Sequence, residues 1–187
     1  MSHLFRLFPL IRQQKAQPLT LHLSHFIGSG AGFLIIAFVS DKMQRRKLPA
    51  IICAFPYLSL WVILAFWNGG KPPVPALYPI CFLMGFFAGF TIVNLACAKE
   101  VVPPSVSGMA MGLVNMGAFL SAAVLQIIFG HLLDLGWQGA ILDGVRVYPL
   151  AAFQSGLILV CAVVSAYVIG ALLLKETRCR DTYDILD

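Results

Sequence analysis

"GFLIIAFVSDKMQRRKLPAIICAF", residues 32–55, joins an apolar run, a burst of charge and a second apolar run. Residues 41–47 hold four cations, Lys42, Arg45, Arg46 and Lys47, and one carboxylate, Asp41. On either side, residues 19–40 and 48–67 contain no Asp, Glu, Lys or Arg. A hydrocarbon core about 30 Å thick is crossed by about 20 residues of helix. Both flanks are long enough. Lipid offers the backbone no hydrogen bonds, and the runs are too long and continuous for barrel strands, so each reads as a membrane-crossing helix.

Three further runs repeat the pattern over residues 76–98, 106–133 and 148–174. The fourth of the five exceeds the minimum and is expected to tilt. The fold class is therefore all-α: a polytopic transmembrane bundle of five helices over 19–174. A non-membrane segment, 1–18, precedes it and a short tail, 175–187, follows. Composition agrees. Hydrophobic residues make up 59% and charged residues 11% of the 187, against about 45–50% and about 25% in soluble domains. The lipid bilayer is the expected solvent partner. The net charge of +5 sits in short turns rather than on a basic face with stacking aromatics, so nucleic acid is not an expected partner.

No cofactor, metal or catalytic site is expected. Cys53, Cys81, Cys97, Cys161 and Cys179 are odd in number and widely spaced, without a CxxC or Cys/His ligand pattern. Four of them lie in apolar runs, where a thiol behaves as a small hydrophobe. No HExxH and no phosphate-binding glycine loop after a strand is present. The chain does not read as an enzyme.

Charge in the turns sets orientation. Lys42, Arg45, Arg46, Lys47, Lys99, Lys175, Arg178 and Arg180 fall on one side, and only Lys71 and Arg146 on the other. Basic turns stay in the cytoplasm, which places 41–47, 99–105 and the tail there. Trp67 and Tyr78, beside "NGGKPPVP" (68–75), suit the opposite interface. The first 18 residues do not conform. Five crossings put them outside, yet they carry Arg6, Arg12 and Lys15 and no acid. They are either an interfacial amphipathic piece or what remains of a longer sequence.

Membrane helices approach one another through small residues. Gly28 and Gly32, Gly85 and Gly89, and Gly108, Gly112 and Gly117 are spaced for helix packing. Together they describe a tight bundle rather than single anchors.

"AFVSDKMQRRK" (37–47) resembles the cytoplasmic loop signature of the major facilitator superfamily (MFS), Gly-x-x-x-Asp-[Arg/Lys]-x-Gly-[Arg/Lys]-Arg. Asp41, Lys42, Arg45 and Arg46 match; Ala37 and Gln44 stand where the family has glycine. "KEVVPPSVSGMAMGLVNMGAFLSAAVLQIIFGHLLD" (99–134) resembles the loop 10–11 and helix 11 region of bacterial members, and "LLLKETR" (172–178) the end of helix 12. The resemblance implies that the five helices are helices 8–12 of a twelve-helix secondary transporter. Helices 1–7 would then come from the same or a separate chain. It implies residence in a bacterial inner membrane, with the C-terminus cytoplasmic.

The resemblance also assigns roles. Asp41, Lys42, Arg45 and Arg46 would form a cytoplasmic gating loop; the plainer reading is a topology anchor. Thr91, Asn94, Asn115 and Gln126 are candidate contacts of a small-molecule solute, or else hydrogen bonds between helices. His22 and His25, three apart on one helix face, could serve a proton step or simply lie near an interface. His131, near a helix end, is a weaker proton candidate, and Met109, Met111 and Met116 read as packing. The expected function is transport of a small organic solute as the C-terminal portion of an MFS carrier, whether uniporter, symporter or antiporter. The alternatives are a membrane interaction protein and a non-functional fragment of a split transporter gene.

Overall fold

The computed structural model describes the backbone of residues 2–142 and 145–179, and side chains from residue 19 onward, Leu142 excepted. Arg180 and the side chains of Arg6, Arg12 and Lys15 lie outside the described residues. Six helices follow in order: α1 (Ser2–Met43), α2 (Lys47–Phe66), α3 (Val74–Phe87), α4 (Phe90–Glu100), α5 (Ser107–Leu135) and α6 (Leu150–Leu173). A two-residue hairpin, β1 (Ile141–Leu142) and β2 (Val145–Arg146), sits between α5 and α6. Five spans are long and apolar enough to cross a bilayer: Leu19–Met43, Lys47–Gly69, Val74–Glu100, Pro104–Leu135 and Leu150–Leu173.

The differences from the sequence reading have physical causes. The helical backbone of α1 runs back to Ser2, and the membrane-length span within it starts at Leu19. α6 starts at Leu150 rather than 148, because Pro149 is extended (φ −68°, ψ 153°) and disfavours helix before itself. The third span is two helices, not one. Between α3 and α4 the amides of Gly89, Thr91 and Ile92 bond three residues back, to Phe86, Ala88 and Gly89. Thr91 Oγ1 also donates to the Ala88 carbonyl at 2.7 Å. Such 3₁₀-type tightening inside a span marks a strained or hinge-like point.

The most extensive pairing is α1 on α3. Gly28 and Gly32 lie against the backbone of Phe82 and Phe86, while Gly85 and Gly89 lie against His25 and Gly32. Small residues thus let two backbones touch, the standard device where lipid removes any hydrophobic drive between helices. Ser24 Oγ donates to the Tyr78 carbonyl (2.9 Å) along the same seam. One core cluster, around Ile36, Ala54, Val93 and Val168, joins α1, α2, α4 and α6; a second, Leu60, Ile80 and Met84, joins α2 and α3. By contrast α5 has no buried residue, although it touches α4 and α6. Large apolar side chains point outward along every span, from Phe26 and Leu34 to Ile127 and Leu173, as lipid requires.

The turn quoted at the outset is tight because Gln44 is left-handed (φ 51°). Left-handed backbone costs an L-residue about 1–2 kcal/mol, which gives a physical reason for glycine at this position of the signature. Gln44→Gly should therefore stabilise the chain, by about 0.5–1 kcal/mol after glycine's own entropy is charged. Thermal unfolding in detergent checks this; a lower midpoint would show that the turn does not require the left-handed form.

Candidate functional site

Antiparallel alternation brings the end of α1, the start of α2, the end of α4 and the residues after α6 to one end of the bundle. There they converge on Arg46, which is only 8% exposed. Its Nη2 and Nε both reach Glu100 Oε1, at 2.7 and 3.0 Å. Its Nη1 donates to Asp41 Oδ1 at 2.6 Å and to Ser40 Oγ at 2.9 Å. Glu100 is as buried as its partner, and its other oxygen accepts from Thr177 Oγ1. The tail adds a second tie: Glu176 accepts the backbone N–H groups of Arg46 (2.7 Å) and Lys47 (3.2 Å).

The electrostatics follow. Burial alone would push Arg46 toward its neutral form, but the hydrogen bonds that it donates to Glu100 and Asp41 outweigh this and raise its pKa. Burial likewise opposes charge on Glu176, yet backbone N–H groups and the nearby Arg45 hold its carboxyl below the ordinary value. The end of the bundle is thus an ionic knot. It ties α1, α2, α4 and the tail together, and its strength depends on every partner being present.

Of the four loop residues, Asp41 and Arg46 enter this knot through their side chains, and Arg45 through its backbone carbonyl, which accepts from Ser40 Oγ, and its charge near Glu176. Lys42 Nζ sits 6.0 Å over the Phe38 ring. Arg45 is exposed and lines a shallow pocket with Lys47 and Arg178. Glu100, Thr177 and Glu176 belong to no motif that assigns them a role. Their only signal was position: an acid at the end of the third span, and a Glu-Thr pair just past the last one.

A cavity of about 410 Å³ lies between α2, α4, α5 and α6. Phe90 stacks on Tyr167 at 4.2 Å, and Tyr57 meets Phe90 edge-on at 5.5 Å, forming an aromatic wall. Thr91, Asn94 and Asn115 line the cavity together, as does Ser121. The Thr91 hydroxyl is already spent on the Ala88 carbonyl in the interruption, and the Ser121 hydroxyl on the Gly117 carbonyl of α5. The buried Tyr167 hydroxyl lies beside Asn94 without a well-aligned hydrogen bond. No Asp, Glu, Lys or Arg lines this cavity among the described residues. Its size and mostly apolar walls with a few polar groups are those of a small-molecule site. The interruption between α3 and α4 delivers Thr91 and Asn94 to it.

The remaining candidates lie elsewhere. Gln126 is exposed on α5 and does not line the cavity. His25 Nδ1 is 3.2 Å from the Cys81 carbonyl, which makes it part of the α1–α3 seam. His22 and His131 are exposed. Gly28, Gly32, Gly85 and Gly89 are packed against backbone, whereas Gly108, Gly112 and Gly117 face open space. At the far end, Arg146 pairs with Asp134 (3.0 Å) and covers the Trp137 ring at 4.6 Å, which pins the hairpin to α5.

Comparison with known proteins agrees with this architecture. The chain is 29% identical over 130 residues to a UPF0324 membrane protein of Rhodopirellula baltica; the match covers 66% of this chain and 23% of that protein. The chain thus spans about a quarter of the length of the curated relative it matches. No solved structure matches it. Residues 17–178 match the Major Facilitator Superfamily, and the chain, with its five membrane-length helices, belongs to that superfamily of membrane transporters.

Proposed function

We propose that the chain is the C-terminal portion, helices 8–12, of an MFS secondary transporter, and that it moves a small organic solute without net charge. The carrying observation is the interrupted third span. It sets Asn94 and Thr91 on the wall of an uncharged, aromatic-lined cavity, and broken helices at mid-membrane are a recurring feature of transporter binding sites. Asn94 and Asn115 supply hydrogen bonds, and the Phe90–Tyr167 stack supplies a flat apolar face. The Arg46 knot lies at the cytoplasmic end of a bacterial inner-membrane protein. It serves as a latch: α4 cannot shift against α1 and α2 without breaking buried, charged hydrogen bonds. Helices 1–7, in the same or a separate chain, cover α5.

The test is uptake of neutral, anionic and cationic labelled solutes into cells carrying this reading frame with the DNA preceding its Met1 codon. Uptake is normalised to inserted protein. At least one neutral solute should accumulate, with Asn94→Ala, and separately Arg45→Ala plus Arg46→Ala, reducing its rate about tenfold or more, the scale of losing one or more buried polar contacts. Equal uptake by wild type and both variants would contradict the reading.

A second reading rests on the bare α5. There the chain assembles with another membrane chain through that helix and transports nothing. Stable co-purification of such a chain, with no uptake of any solute, would favour it. A fragment without function would show neither.

A further inference from the structure

Beside the ionic knot, the start of α2 and the residues after α6 enclose an open pocket of about 340 Å³. Arg45, Lys47 and Arg178 line it with Leu48, Ile51 and one acid, Glu176. The acid is occupied. Its Oε1 accepts the N–H groups of Arg46 and Arg178 (2.7 and 3.1 Å), and its Oε2 that of Lys47 (3.2 Å). The pocket therefore keeps a formal excess of two positive charges. Among the described residues, neither the Lys47 ammonium nor the Arg178 guanidinium is engaged by a hydrogen bond or ion pair.

Its position matters as much as its charge. Lys47 opens a membrane span, and α6 ends at Leu173. The pocket thus lies at headgroup level. Its apolar side, Leu48 and Ile51, continues down α2 into exposed Ile52 and Phe55, 54% and 49% accessible. A ligand with an anionic head and an apolar tail matches both halves. Two guanidinium forks suit phosphate oxygens, with a lysine as added point charge. Basic pockets at the ends of membrane helices attract acidic lipid headgroups.

We propose that this pocket binds the phosphate of an anionic phospholipid, whose acyl chain lies along Ile52 and Phe55. Because Glu176 joins the pocket wall to the Arg46 backbone, the bound headgroup also braces the ionic knot. Nothing in this assignment depends on the solute or on transport.

The test uses the purified full chain in phosphatidylcholine vesicles, with phosphatidylglycerol or phosphatidylcholine spin-labelled on the acyl chain. Electron spin resonance reports the fraction of label held at the protein. Phosphatidylglycerol should be preferred. Arg45→Gln, Lys47→Gln and Arg178→Gln should each cut the preference about fivefold or less, the scale of one cation near a lipid surface. Together they should abolish it. Lys42→Gln with Lys99→Gln and Lys175→Gln removes the same charge outside the pocket and should keep most of it. Should the triple pocket variant lose helix content by circular dichroism, the single variants decide. No preference in wild type, or equal loss in pocket and control variants, would overturn the proposal. Displacement of the lipid by millimolar inorganic phosphate would reassign the pocket to a soluble phosphate and overturn it too.

Discussion

Arg46→Met will destabilise the chain by about 3–5 kcal/mol, the usual cost of removing one partner of a buried ion pair. Glu100 is 7% exposed and would lose both guanidinium donors, Nε and Nη2, while the Thr177 hydroxyl stays. Asp41 and Ser40 would lose their shared donor as well, but Asp41 is largely exposed and water replaces it. The pair Arg46→Met with Glu100→Met should recover most of the loss. Apolar side chains of similar volume often replace a buried ion pair at little cost. Unfolding in mixed micelles, read for wild type, both single variants and the double, gives the coupling directly. If the double variant is as unstable as the sum of the singles, Arg46 and Glu100 do not act as a pair.

Gly85→Ala should cost about 1–3 kcal/mol, the usual range for overpacking. A methyl there would fall inside the His25 carbonyl and against the Ser29 amide, and backbone cannot move aside as a flexible side chain does. Gly28→Ala meets the Phe82 carbonyl in the same way. Gly108→Ala and Gly112→Ala meet nothing. In this chain they should be neutral or stabilising by up to about 1 kcal/mol, since alanine favours helix over glycine. Identical glycine spacing thus has opposite consequences on two helices. Equal effects on both would show that α1 and α3 are not in backbone contact. In an assembly with the preceding helices, the proposed cover for α5 should make Gly112→Ala costly as well.

That contrast shows what the sequence held and what it did not. The five spans were legible because length and the absence of charge suffice in lipid. The end of α1 and the start of α2 were legible because Asp41 and Arg46 stand in a recognisable signature. The glycine stripes were legible as a pattern, but a pattern does not name its partner. Gly28 and Gly85 find each other across the α1–α3 seam, while Gly112 finds nothing. The partners of Arg46 were hidden for a related reason. Glu100 is 54 residues away, and Glu176 is 130 away from the amide that it binds. Only the antiparallel fold makes them neighbours. The interruption at 88–89 was masked by continuous hydropathy, which reads apolar length and is blind to a carbonyl bonded three residues on rather than four. Thr91, Asn94 and Asn115 were singled out as polar residues in apolar helices, and the structure gathers these three around one cavity. Gln126 had the same credentials and lies elsewhere, because its face of α5 is turned away.

The most direct measurement is the sidedness of the two ends. The five native cysteines are replaced by serine or alanine, and a single cysteine is returned in place of Lys42 or Lys71, both exposed. Intact cells are then treated with a membrane-impermeant maleimide. Position 71 should label in intact cells, and position 42 only after permeabilisation. Labelling of both positions in intact cells would contradict this sidedness, because one crossing must separate them.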